Sequence, residues 1–244
     1  MISYSGGKPG LQPSQFNQPT DVFYSGRWNA QYIPVPVTVS GNLTSWAANA
    51  PYTFYVRAGM PMGKVTSTGT VGNFVVETGT YANSIIGQTT AAYTSGGTTL
   101  TTDVNTAAEI VRRIGTSGTF ITCGPPSAAG TVASTTTTFS AVNTSTGAIT
   151  VTSLGVNKVS GAWIQPTDGS ATILTLVCDV DGIKVADGTN VNRVDAFDPQ
   201  LLAGGGCINV GQILYYPTDT AMQAYLKAAL LAFCTNGVTF SDQY

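Results

Sequence analysis

The chain has 244 residues, of which 43% are hydrophobic and only 9% charged, with a net charge of −2, ten basic residues spread along its length and no histidine. An ordinary soluble domain carries about 25% charged residues, so Thr, Ser, Asn, Gln and Gly must cover this surface. The scattered lysines and arginines leave no footprint for nucleic acid or an anionic membrane, and without imidazole every triad or zinc-hydrolase arrangement that depends on it is excluded.

Charge usually keeps a free cytosolic enzyme soluble. A Thr-rich surface this weakly charged suits a protein covered by other copies or partners. The N-terminal "MISYSGGKPGLQPSQFNQPTD" has no apolar run after a basic start and reads as no signal peptide. No stretch approaches the ~20 apolar residues of a membrane span.

Residues 1–20 carry Gly6, Gly7, Pro9, Gly10, Pro13 and Pro19 among polar residues, a composition that reads as an arm ordering on a partner. In "DVFYSGRWNAQYIPVPVTVSG", Pro34 and Pro36 alternate with Ile33, Val35 and Val37. That pattern predicts an edge strand or an extended crossing segment, because proline cannot donate to a sheet. The phrase "PYTFYVRAGMPMGKVT" predicts a strand through Tyr52, Phe54 and Val56, a turn at Ala58-Gly59 and a second strand through Val65, with Gly59 and Gly63 shaping the turn.

Gly59, Gly63 and Lys64 also invite comparison with a phosphate loop. The gap between the glycines is one residue short, Pro61 removes a backbone donor, and Val65 stands where a hydroxyl must bind Mg²⁺. Lys64 is therefore read as a solvated side chain or a contact to a neighbouring subunit.

Beyond Gly72 the texture turns to Thr and Ser runs. "ASTTTTFSAVNTSTGAITVTSLGVN" alternates around a hairpin loop at Asn143–Gly147. Within the same region "TDVNTAAEIVRRIG" predicts a helix capped by Asp103 or Asn105, with Ala108, Ile110, Val111 and Ile114 as its apolar stripe and Gly115 as its stop. Arg112 and Arg113 are expected on its surface, compensating the C-terminal dipole.

From about Trp163, "ATILTLVCDVDGIKVADG" and "GGGCINVGQILYY" read as strands bounded by Gly and Asp turns. Asp179-Val180-Asp181-Gly182 fails as a calcium loop, since Val177 and Gly188 stand where acids are needed, and Asp-Gly is hairpin chemistry. "PTDTAMQAYLKAALLAFCTNG" is the strongest helix: Pro217 with Thr218 or Asp219 opens it, Met222, Tyr225, Leu226, Ala229 and Phe233 fall at helical spacing, and Asn236-Gly237 stop it. A helix this apolar on several sides is buried or packs against a neighbouring subunit. Cys123, Cys178, Cys207 and Cys234 lie far apart with no metal spacing and read as small buried residues, with a disulfide left open. No catalytic constellation and no metal or cofactor site is expected, so the chain is read as not an enzyme.

The stretch "YVRAGMPMGKVTSTG" resembles the head-decoration, or capsid cement, proteins of tailed phages, similar to the lambda protein D family. That family has a strand, an Ala-Gly turn, a short apolar pair, Gly-Lys-Val-Thr and a further Gly. "ILTLVCDVDG" followed by "LLAGGGCINVGQIL" resembles the second half of that domain.

The resemblance implies a mainly β fold with a β-clip-like decoration core formed by residues 50–72 plus 157–244, which includes a C-terminal helix. Residues 1–49 would be an extended arm and crossing segment, and 73–156 an inserted β-rich domain with one short helix. It further implies a homotrimer on the outer capsid surface of a virion, made in the host cytoplasm and bound to the major capsid protein, with no nucleic acid, membrane or cofactor as partner. An arm with alternating prolines suits edge-strand addition to a partner sheet. Phe16, Phe23, Tyr24, Trp28 and Tyr32 are its candidate anchors, with the domain's own core an equal alternative for Trp28 and Tyr32. Two other readings stand beside this one: a spike that binds host glycans, and a tail-tube or head-completion protein.

Overall fold

The computed structural model describes residues 22–25, 30–33, 38–40, 58–67, 70–71, 74–75, 78–127, 130–178, 195–197, 200–234 and 237–241. In chain order the strands are β1 (Phe23–Ser25), β2 (Gln31–Tyr32), β3 (Thr38–Ser40), β4 (Pro61–Lys64), β5 (Thr70–Val71), β6 (Phe74–Val75), β7 (Tyr81–Asn83), β8 (Gly87–Gln88) and β9 (Thr99–Thr101). Helix α1 (Val104–Arg113) follows, then β10 (Gly118–Gly124), β11 (Ala133–Asn143), β12 (Ala148–Val151), β13 (Trp163–Gln165), β14 (Thr175–Leu176), β15 (Asp195–Phe197), β16 (Leu202–Gly204) and β17 (Cys207–Asn209). A 3-10 turn (Val210–Gln212), helix α2 (Thr220–Phe233) and β18 (Thr239–Ser241) complete the described elements. The fold is mainly β with one mid-chain helix and one helix near the C-terminus, in agreement with the sequence pattern.

Its centre is a six-stranded sheet in the order β8-β13-β10-β11-β12-β9. The sheet curls until its ends meet: Thr89 bridges Thr102, and Thr90 N donates to Thr101 O at 2.9 Å. Closing the sheet in this way leaves no long unpaired edge. The interior holds Ile86, Leu100, Phe120, Phe139, Ile149 and Ile164, each at most 1% exposed. Phe120 and Phe139 stack with ring centroids 5.2 Å apart. Helix α1 lies against this interior through Ile110 and Ile114.

Side chains alternate along a strand, so β10 and β13 serve two cores. Phe120 and Ile164 point into the barrel, while Cys123 and Trp163 point out of it into a second core with Val22, Leu176, Leu202 and Ile208. Met222, Leu226 and Leu230 of α2 close that second core. Strands β17 and β18 run parallel, with α2 as the crossover between them. A five-stranded sheet, β14-β4-β7-β3-β15, stands beside the barrel.

Strand pairing crosses the 156/157 boundary expected from the sequence. Strand β13 lies between β8 and β10, so residues on both sides of that boundary build one barrel. At the other end β7, expected inside the insertion, pairs with β4 of the expected core.

Short-range expectations fare differently. The hairpin turns at Asn143–Gly147, where the Asn143 side chain accepts from Ser145 N at 3.0 Å and Thr146 N at 3.1 Å. Gly59 sits in a turn with φ +79°, and a Cβ there would lie 1.9 Å from the Gln212 carbonyl oxygen. Gly63 is a correction: it lies within β4 rather than in a turn. Its missing side chain admits the backbone of the 170–172 segment, because a Cβ would lie 2.1 Å from Ser170 O and 2.3 Å from Thr172 O. The strand expected over Tyr52–Val56 and the Asp179–Gly182 turn lie outside the described residues.

Candidate interaction surface

Helix α2 begins after Pro217, where the Asp219 carboxylate accepts from Met222 N at 3.0 Å and meets one of the otherwise unpaired N–H groups of the first turn. The expected apolar stripe rotates in the structure. Met222, Leu226 and Leu230 are buried, whereas Tyr225 is 44% exposed and Leu231 47% exposed. The apolar residues outnumber what one core-facing stripe can hold, so the outer face is apolar as well.

That outer face comprises Ala224, Tyr225, Ala228, Leu231 and Ala232, all exposed and none charged. The helix's one cation, Lys227, turns aside to stand 5.7 Å from the centroid of the Phe240 ring. Tyr225 rests one edge of its packing on Trp163, at a centroid distance of 6.2 Å. The indole N–H of Trp163 in turn donates to Tyr215 O at 3.0 Å.

An open groove of about 470 Å³ runs between α2 and the β10–β11 connection, lined by Thr131, Val132, Ala221, Ala224, Tyr225 and Ala228. Lys158 holds that connection at both feet. Its Nζ, in a residue only 2% exposed, donates to Gly124 O at 3.0 Å and Ala133 O at 2.7 Å, the last residue of β10 and the first of β11. Burial pushes the Lys158 ammonium below the ordinary lysine value, against an opposing pull from Cys123.

A second uncharged surface is the barrel wall. Thr99, Thr101, Thr119, Thr136, Thr138 and Thr150 are exposed there, with Thr119 paired across the ladder to Thr138 and Thr99 to Thr150. Strand alternation sends their neighbours Leu100, Phe120, Phe139 and Ile149 inward, so the outer rows are hydroxyls.

Of the aromatic anchors expected from the sequence, Tyr32 alone is described with its side chain. Phe16 and Trp28 lie outside the described residues. Phe23 and Tyr24 belong to β1, where Phe23 stands opposite Ile208, and their side chains lie outside the description. Tyr32 pairs with Leu202 and packs half-buried against the second core, its core alternative. Lys64 is exposed.

Two cations behave unlike their sequence reading. Arg113 was expected on the surface but is 4% exposed, and its guanidinium bonds the Asp168 carboxylate at 2.7 Å. Asp168 also accepts from Ser170 N at 3.0 Å and Ser170 Oγ at 2.6 Å, and its backbone oxygen takes the N–H groups of Thr66 and Ser67. The pair thus joins α1 to the segment that follows β4. Ala108, expected in the α1 stripe, is exposed, and Ala107 takes its place.

Neither Arg113 nor Lys158 carried a local signal of burial, since their partners lie 55 and at least 25 residues away. Among the described residues no three His, Cys, Asp or Glu side chains gather where they could hold a metal ion. All four cysteines are free, with Cys123, Cys178 and Cys234 buried and Cys207 half-buried. Among the described residues no helix is long and apolar enough to cross a membrane. No family model matches the chain, and neither a curated protein nor a solved structure matches it.

Proposed function

We propose that this chain is a structural capsid decoration protein that binds the outer surface of a phage head and stabilises the expanded shell. The reading begins from the motif at residues 55–69 and its likeness to cement proteins. The observation that carries it is a pair of uncharged exposed surfaces, the hydroxyl-lined barrel wall, which would face the shell, and the apolar outer face of α2. Burying an unpaired charge is costly, so a surface that lacks charge suits repeated contact with other proteins.

The mechanism is differential binding. Each copy, as a homotrimer in the reading the resemblance implies, buries surface against the major capsid protein only where the expanded lattice presents the right spacing. Many weak contacts then shift the equilibrium toward the mature shell. The closed barrel supplies a rigid body for that contact, and the N-terminal arm supplies the segment that adds to a partner sheet.

The test is the copy number of this chain relative to the major capsid protein in purified particles, read by calibrated gel densitometry. A ratio near one is expected. A handful of copies per particle, or none, overturns the reading.

A further inference from the structure

We infer that the outer face of α2 is a self-association surface on which two copies of this chain pair antiparallel about a twofold axis through Ala228. The inference goes beyond the shell role, because the contact is defined by the chain alone and is open to test in solution.

Ala224 and Ala232 lie four residues to either side of Ala228, and Tyr225 and Leu231 lie three residues to either side. All five are exposed, and at 3.6 residues per turn they share one face. In a twofold antiparallel pair centred on Ala228, Tyr225 of each copy meets Leu231 of the other, and Ala224 meets Ala232. Every large side chain finds a large apolar partner and every alanine finds an alanine. This is the self-complementarity an isologous contact requires. The alanines let the axes approach toward the short end of the roughly 8–10 Å range for packed helices. The antiparallel arrangement also sets opposite dipole ends together.

Charge decides between a second copy and an unrelated partner. About a quarter of an ordinary domain's residues are charged, and any such charge buried against this face would go unpaired. A second copy brings a charge-free face by construction, because Lys227 is turned toward Phe240. Each Leu231 also comes to rest beside the partner's Tyr225, at the mouth of the groove bounded by Thr131 and Val132.

A single helix pair buries less than the roughly 1,200–2,000 Å² of a standard interface, so the pairing belongs to the micromolar range. The full chain, analysed by sedimentation equilibrium from about 10 to 300 µM, is expected to approach twice its 25.2 kDa mass. Ala228→Glu places two carboxylates on the axis and should hold the protein at monomer mass with an unchanged circular dichroism spectrum. Leu231→Glu, at a position 47% exposed, is the second variant and decides the matter where Ala228→Glu disturbs the fold. In a Cys207→Ser background, Ala228→Cys should form a disulfide dimer on oxidation by dissolved oxygen with a copper–phenanthroline catalyst, while Cys207→Ser alone should not.

A monomer at every concentration, or a dimer that survives a folded Ala228→Glu or Leu231→Glu, overturns the inference. Either result leaves the particle copy number untouched, so the shell role stands or falls separately.

Discussion

Replacing Arg113 by Met leaves the Asp168 carboxylate buried without its cation. Both residues are nearly sealed, at 4% and 7% exposed, and the bond between them is 2.7 Å. Removing one member of a buried ion pair typically costs about 3–5 kcal/mol, because the survivor keeps its desolvation penalty. Asp168 retains two donors on Ser170, so the expected loss is at the lower end, about 3 kcal/mol. At about 2–4 °C per kcal/mol for a chain of this size, the melting temperature should fall by roughly 6–12 °C.

Urea unfolding followed by far-UV circular dichroism measures the difference directly. One internal check accompanies it. The double variant Arg113→Met/Asp168→Leu removes both charges and should recover at least about 1 kcal/mol of the single-variant loss. A loss below about 1 kcal/mol, or a double variant no more stable than the single one, would refute the burial argument.

Gly59→Ala meets both the φ of +79° and the Gln212 carbonyl 1.9 Å from the new Cβ, so it should cost about 1–3 kcal/mol or more in urea unfolding. Stability equal to wild type would refute the close approach. Lys158→Met leaves Gly124 O and Ala133 O without their donor, an expected loss of about 1–3 kcal/mol.

Lys158 titrates below its ordinary value in the folded chain, so the unfolded chain binds the extra proton between that lowered value and about 10.4. Stability should therefore rise with pH just below about 10.4 for wild type relative to Lys158→Met, and a difference that falls with pH there would contradict the assignment. Burial pushes the Cys234 thiol up to about 11, leaving about one thiolate per thousand at pH 8. Iodoacetamide should label Cys207 first and Cys234 only on unfolding, as read by mass spectrometry. Equal labelling rates in the native protein would show that Cys234 is open to solvent.

The features legible in the sequence depend on residues close together along the chain. Asp103 and Asp219 cap helices whose spacing was apparent, the Asn143–Gly147 loop joins two alternating strands, and Gly59 occupies the turn between apolar segments. The scarcity of charge was apparent too, and with it the expectation of a contact surface. Tertiary structure alone decided the rest. Closure of the barrel depends on Thr89 meeting Thr102 and on β13 entering between β8 and β10, pairings no local pattern encodes.

Gly63 sits in a strand because a distant backbone passes over it, and Arg113 is buried because Asp168 arrives from another element. Which face of α2 turns outward was undetermined for the same reason. A helix apolar all round has no preferred side until a core claims one, and here Met222, Leu226 and Leu230 are claimed while Tyr225 and Leu231 are left in solvent.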